Sequence, residues 1–318
     1  MGPDISAVRE ARELLSRYLP VTRTVPAPSL SQDGASVFLK IETDLPTGSF
    51  KPRGAIYALA INLARRGISE VTASSTGNHG AAVAYAAKTL GIPATIFLPS
   101  NPNPVKRDKI RALGAGIVES GGPDLADAYQ QALQYSRRPG VYFLNDATDP
   151  DLPAGPGTIS LEIFEQAPDV TTIYVPMGDT ALIRGVAAAA KQLRPGVSVI
   201  GVQAERAPSY YLSWQQGRAV STETCDTCAD GLATRTPDPE NVRVIRELVD
   251  DVALVSEQQM LEAIHYLYKK EGVLAEPAGA AATAAFLTSS APRGETVLLV
   301  TGANIPEDVK RRAGIASL

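Results

Sequence analysis

Gly48-Ser49-Phe50-Lys51-Pro52-Arg53-Gly54-Ala55 is the stretch whose reading decides the rest of the chain. It follows an alternating apolar run, Val37-Phe38-Leu39-Lys40-Ile41, which predicts a strand, and it opens a helical run from Ala55 to Arg66. Lys51 therefore belongs to a strand-to-helix turn, close to a helix N-terminus. The partial positive charge at a helix start disfavours a second positive charge, so an amine held there is expected to ionise less readily. A neutral amine is what Schiff-base chemistry requires.

Outward from this turn the chain repeats one theme of apolar strand, small-residue turn and alanine-rich helix. Val71-Thr72-Ala73 leads into Ala81 to Leu90, Ala94 to Leu98 into Val105 to Leu113, and Gly116 to Glu119 into Leu125 to Tyr135. Thr172 to Pro176 leads into Leu182 to Leu193, and Val197 to Val202 follows. Such alternation predicts an α/β fold with mostly parallel sheets covered by helices on both faces. Ile5 to Tyr18 has helical spacing, and Pro20, Pro26 and Pro28 then suggest an extended arm. Loops are expected at Pro99–Pro104, at 149–157 as a return crossing, and at Thr236–Pro239.

At 318 residues the chain is long enough for two domains. An apolar content of 44% describes a folded chain rather than a disordered one, and a net charge of −4 argues against general nucleic-acid binding. No apolar run reaches the length of a membrane span, and Met1 to Leu15 carries charges throughout, without a signal-peptide core. The expectation is a cytoplasmic protein. Cys225 and Cys228 form a single C-x-x-C, with only His79 and His265 as further nitrogen ligands. That set is too small for a structural zinc site and is read as two incidental loop cysteines.

Three further segments join strand to glycine turn. Ser74-Ser75-Thr76-Gly77-Asn78-His79-Gly80 precedes a helix whose free N–H groups suit an anion such as a substrate carboxylate. Tyr174-Val175-Pro176-Met177-Gly178-Asp179-Thr180-Ala181-Leu182 offers a helix start for a phosphate, with the Thr180 hydroxyl as an extra donor. It is not a dinucleotide fingerprint, because no G-x-G-x-x-G follows the strand. Leu298-Leu299-Val300-Thr301-Gly302-Ala303-Asn304 is an apolar strand ending in a hydroxyl and a glycine.

Taken in order, Thr47 to Ala55, Ser74 to Gly80, Tyr174 to Leu182 and Leu298 to Asn304 resemble the pyridoxal-phosphate enzymes of the tryptophan synthase β-like fold, most closely the threonine/serine dehydratase and serine racemase branch. Ala229-Asp230-Gly231-Leu232-Ala233 and Glu276-Pro277-Ala278-Gly279-Ala280 point to the same branch. The resemblance runs from about Thr22 to Ile305. It implies two three-layer αβα domains, a small one of residues 70–145 inserted in a larger one of 1–69 plus 146–318. It suggests a homodimer, and no regulatory extension is expected after Leu318.

The resemblance also implies residue roles. Lys51 would carry pyridoxal 5'-phosphate and then act on the substrate Cα proton, with Phe50 under the ring. Asn78 would bond the ring hydroxyl, and Ser75, Thr76, Gly77, Asn78 and His79 would hold the substrate, His79 mainly as a structural residue. Gly178, Asp179, Thr180, Ala181 and Leu182 would cradle the phosphate. Here Asp179, Thr180 and Ala181 replace the usual glycines, and an acid beside a dianion is unfavourable unless it turns to solvent or caps the backbone. Thr301 would face the pyridine nitrogen, where a hydroxyl favours elimination, replacement or racemisation over transamination. Glu276 is expected either near the ring or as a helix cap.

Thr76 departs from both the serine of racemases and the small residue of dehydratases, so racemisation stays open as a second activity. The leading expectation is β-elimination of water from a small β-hydroxy amino acid such as threonine or serine. A threonine synthase-like replacement enzyme and a non-catalytic cofactor- or amino-acid-binding protein are the alternatives. Relatives in this branch bind a divalent cation at positions occupied here by Gln203, Ala207 and Ser209, which lack carboxylates, so no metal is expected there. Asp146, Asp149 and Asp151 form a rival acidic loop, read as turn and cap residues. Tyr57, Tyr210, Tyr211 and Trp214 are candidates for a substrate pocket or for plain burial.

Overall fold

Two parallel sheets carry the chain. The computed structural model describes residues 2–31, 35–102, 104–122, 125–289 and 294–315; Asn103 of the expected 99–104 loop and Leu318 lie outside them. The strands, in chain order, are β1 (Thr24–Pro26), β2 (Val37–Ile41), β3 (Glu70–Ser74), β4 (Ala94–Leu98), β5 (Gly116–Glu119), β6 (Val141–Phe143), β7 (Val170–Pro176), β8 (Ser198–Ala204), β9 (Asp251–Val255) and β10 (Glu295–Val300). The helices are α1 (Ile5–Leu15), α2 (Lys51–Arg66), α3 (Asn78–Leu90), α4 (Pro104–Ala112), α5 (Leu125–Tyr135), α6 (Ala154–Gln166), α7 (Ala181–Leu193), α8 (Ser209–Gln216), α9 (Pro239–Leu248), α10 (Glu257–Tyr266), α11 (Pro277–Thr288) and α12 (Glu307–Arg312).

One sheet has six strands in the order β1-β2-β10-β7-β8-β9, the other four in the order β5-β4-β3-β6. Every neighbouring pair is parallel except β1 with β2. This is the α/β architecture with mostly parallel sheets that the alternating pattern predicts. In the larger sheet Val300 pairs with Ile41 and Pro176 with Val202, so the carboxyl ends of β2, β10, β7 and β8 reach one edge together. In open parallel sheets that edge is where ligands bind.

Two local readings need correction. Helix α2 starts at Lys51 rather than Ala55, with Pro52 inside its first turn. Proline lacks only an N–H that is unpaired there anyway, so it begins this helix instead of preceding it. The stretch 149–157 is not all loop, because α6 begins at Ala154. Its glycines serve close helix contact: a Cβ on Gly155 would strike the Arg53 and Gly54 backbone of α2, and one on Gly185 of α7 would strike the Pro153 carbonyl. Tyr57 and Tyr210 are buried, and Tyr211 and Trp214 pack against the core beside β8 and α9. The burial of Tyr57 and Tyr210 agrees with the reading of plain packing.

Helix α2 is anchored from below by a buried ionic cluster. Arg53 Nε and Nη1 meet Glu42 Oε2 and Glu162 Oε1, each at 2.7 Å, and Lys40 Nζ meets Glu162 Oε2 at 2.7 Å. Thr22 Oγ1 donates to Glu42 Oε1 at 2.6 Å. Burial works against the charge on Glu162, but Arg53 and Lys40 outweigh it and hold this carboxyl below its ordinary value. Burial pulls the Lys40 ammonium down. The Glu42 and Glu162 carboxylates overcome the burial of Arg53 and raise it.

Candidate active site

The turn before α2 and the end of β10 are tied together. Phe50 N donates to Thr301 O at 3.0 Å, Ser49 bridges to Gly302, and Gly48 takes a positive φ of 70°. Thr301 is buried at the strand end. The Lys51 amine lies 5.0 Å from the centre of the Phe50 ring and donates to the Asp146 carboxylate. That acid comes from the segment after β6 and opposes the helix-start potential that the sequence alone suggested for this lysine. Asp149 does serve as a turn residue, accepting from Asp151 N and Leu152 N at 3.0 Å each, but Asp146 does not.

The start of α3 faces the same edge. Asn78 Nδ2 donates to Glu276 Oε1 at 2.7 Å, and Asn304 Nδ2 bridges Asn78 Oδ1 at 2.7 Å and Thr47 O at 2.9 Å. Glu276 occupies the N-cap position of α11, yet its side chain caps no backbone group there. Burial raises its carboxyl above the ordinary value. A Cβ on Gly302 would run into the Glu276 carboxyl, so glycine here lets that carboxyl lie against the strand end. Ser75 Oγ accepts from Gly77 N at 3.2 Å, and Ser75, Thr76 and Gly77 are partly exposed. His79 is buried, with Nε2 2.9 Å from Leu144 O and Nδ1 3.5 Å from Asp146 Oδ1.

Helix α7 opens the second half of the site. Thr180 caps it in the left-handed region, at φ 71°. The first backbone bond there is Arg184 N to Thr180 O at 2.9 Å, which leaves the N–H groups of Ala181, Leu182 and Ile183 uncommitted among the described residues, as at any helix start. A Cβ on Gly178 would strike the Gly231 carbonyl, so the strand can turn here only through glycine. The Thr180 hydroxyl accepts from Arg184 Nε at 3.1 Å. Asp179 neither turns to solvent nor caps the helix; it accepts from Thr234 Oγ1 at 2.8 Å. Burial first, and then the charge of Asp146, raise its carboxyl. Burial lowers the Arg184 guanidinium, which also donates to Ala147 O at 2.7 Å.

These groups suit a phosphorylated aromatic aldehyde. A lysine amine adjoins an aromatic face, N–H groups at a helix start and a guanidinium adjoin a glycine turn, and Asn78 and Glu276 bond to each other beside Gly302. Sequence reasoning missed Arg184, and it read Asp146 as a turn residue. The signal for Arg184 was present: it is the one charge in the apolar run Ala181-Leu182-Ile183-Arg184-Gly185-Val186-Ala187, one turn beyond Thr180. Asp146 gave no comparable signal, since it precedes two other loop aspartates. Gln203 and Ser209 are engaged in protein hydrogen bonds: Gln203 Oε1 accepts from Tyr211 N at 2.9 Å, and Ser209 Oγ donates to Thr234 O at 2.5 Å. Cys225 and Cys228 are free thiols, and burial pushes the Cys228 thiol up to about 12.

A family model described as "Pyridoxal-phosphate dependent enzyme" matches residues 15–302. The chain is 38% identical over 300 residues to an L-threonine ammonia-lyase of Thermotoga maritima, covering 94% of this chain and 75% of that protein. Among solved structures, maize serine racemase aligns at a TM-score of 0.92 with 30% identity, covering 99% of this chain and 97% of the other. A T.th. threonine deaminase aligns at a TM-score of 0.89 with 32% identity, covering 96% of this chain and 99% of the other.

Proposed function

The chain belongs to the pyridoxal-phosphate dependent enzymes, and from that premise we propose that it is an ammonia-lyase converting a small β-hydroxy amino acid, threonine or serine, into a 2-oxo acid and ammonia. The observation that carries the reading is Lys51 at a helix start, its amine over the Phe50 ring and beside the Thr301–Gly302 turn. The cofactor, when bound, supplies an electron-withdrawing ring that takes up the electron pair left when Cα loses its proton.

The remaining work falls to the protein. Lys51 would be the attachment point and the base that accepts the Cα proton. The N–H groups of Ala181 and Leu182, with Gly178, Thr180 and Arg184, hold the phosphate. Burial raises the Asp179 carboxyl, which is the direction that lessens its conflict with that anion. Asn78, Glu276, Phe50 and Thr301 would hold the ring, with Thr301 supplying a neutral hydroxyl. Ser75, Thr76, Gly77, Asn78 and His79 surround the substrate carboxylate.

We place the domain boundaries at 69/70 and 145/146, so that the four-stranded sheet and its helices form the inserted unit. A cytoplasmic homodimer with no nucleic-acid or membrane partner is the assembly this reading expects. Among the described residues no helix is long and apolar enough to cross a membrane.

An ammonia-release screen over L- and D-β-hydroxy amino acids, with cofactor content measured alongside, tests the activity. Ammonia and 2-oxo acid from L-threonine or L-serine support it; a yellow protein that releases ammonia from none of them refutes it. Amino-acid racemisation is the second reading, favoured by the likeness to maize serine racemase and by the hydroxyl at Thr76. Chiral analysis of unreacted serine separates the two, and Thr76→Ala should abolish D-serine formation while retaining ammonia release.

A further inference from the structure

The segment after β6 is pinned from several sides. Asn145 Oδ1 accepts from Ala147 N at 2.9 Å and from Thr148 N at 3.2 Å. His79 of α3 holds Leu144 O, and Arg184 of α7 and Asn241 of α9 both hold Ala147 O, the latter at 3.0 Å. Asp146, between them, is thereby fixed against Lys51. Its Oδ2 accepts from the Lys51 amine, while its buried Oδ1 has no hydrogen-bond partner among the described residues and lies 3.5 Å from His79 Nδ1.

An unpaired buried carboxylate oxygen is costly. Nothing structural in the turn uses it, since Asn145 and Asp149 make the turn contacts. Burial works against the Asp146 charge, but Lys51, His79 and Arg184 outweigh it, so this acid stays ionised. Asp179 is a nearby carboxyl, raised by its burial first and then by the charge of Asp146.

We propose that Asp146 is a positioning residue that stabilises positive charge on the Lys51 nitrogen, both in the resting loaded enzyme and at the moment that nitrogen accepts the Cα proton. In that step the Cα–H bond breaks, its electron pair stays with the substrate–cofactor system, and the proton moves to the Lys51 amine. The resulting ammonium lies against Asp146 Oδ2. The groups facing Asp146 are Lys51 from α2, His79 from α3 and Arg184 from α7, with Asp179 close by, and only Lys51 changes its charge by reacting. The effect of Asp146 is therefore larger on the proton-transfer step than on substrate binding.

The inference rests on the assignment of the cofactor to Lys51, and the test separates the two. The visible absorption band of the loaded protein is titrated against pH for the wild type and for Asp146→Asn and Asp146→Ser, with borohydride trapping on each. An opposite charge within about 4–6 Å moves a titration by about one to three pH units. Both substitutions should therefore shift the band transition to lower pH by at least about one unit and lower kcat more than they raise KM. Asp146→Glu should restore part of the shift. A transition at the wild-type pH in either uncharged variant, with the label still on Lys51, overturns the role of Asp146 alone, whatever happens to activity. A label found away from Lys51 in the wild type overturns the parent reading instead.

Discussion

Glu162→Gln removes one charge from the cluster beneath α2 with almost no change in volume. Lys40, Arg53, Glu42 and Glu162 together are neutral, and all four are 3% exposed or less. The substitution leaves a net positive charge in the interior and turns one of two acceptor oxygens into a donor, against Arg53 Nη1 on Oε1 or against Lys40 Nζ and Arg53 Nη2 on Oε2, the latter at 2.8 Å. Breaking a buried pair by deleting one partner costs about 3–5 kcal/mol. With an unfolding entropy of about 2.1 cal/mol/K per residue, a chain of 318 residues loses roughly 1.5 °C per kcal/mol, so Tm should fall by about 5–7 °C. Urea unfolding followed by Trp214 fluorescence gives the free energy directly.

The pH dependence has a fixed sign. Glu162 is depressed in the folded state, so its contribution is fully present above the unfolded value of 4.5 and is lost as pH falls through the lower folded value. The gap between wild type and Glu162→Gln should be widest near neutrality and narrow in acid. Adding Lys40→Met restores neutrality, and the double variant should lose less than the sum of the single losses by about 1 kcal/mol or more. A Glu162→Gln protein within about 0.5 kcal/mol of wild type at pH 7, the range of an ordinary surface change, would refute the view that this cluster anchors the Lys51 helix.

Other outcomes follow from the site itself. Lys51→Ala should lose the cofactor colour and about 10²–10⁴-fold in ammonia release, read in a coupled 2-oxo acid assay. Arg184→Met should weaken retention of pyridoxal 5'-phosphate about tenfold or more but leave retention of unphosphorylated pyridoxal unchanged, as measured by equilibrium dialysis. The raised carboxyl of Asp179 favours its neutral form, and that preference is lost as pH climbs through the folded value. Cofactor retention in the wild type should therefore weaken as pH rises through that folded value, and Asp179→Asn should flatten that dependence. Exhaustive chelation should leave turnover unchanged, since Gln203 and Ser209 are engaged in protein hydrogen bonds.

Much of this molecule was legible in its sequence because the informative signals were local. Strands β4, β7 and β10 are apolar runs with glycine or proline at or next to their ends, β2 is a plain apolar run, and Gly178 and Gly302 mark turns that a side chain would crowd. Strands β1 and β6 have only three residues each, too few to set a period. Helix α6 was concealed because its glycines and prolines, which signal loops in isolation, serve contact with α2 and α7. The site divides in the same way. Lys51, Asn78 and Thr301 lie in recognisable turns, whereas the pairing of Asp146 with Lys51 spans 95 positions and that of Asp179 with Thr234 spans 55. No local pattern encodes which distant acid a lysine meets, and that pairing determines the electrostatics of the centre.

The most direct test of the account is borohydride reduction of the cofactor-loaded protein followed by peptide mapping. The account predicts a single stable pyridoxyl label on the peptide containing Lys51. A label on another lysine, or none from a protein that still releases ammonia from threonine, would contradict it.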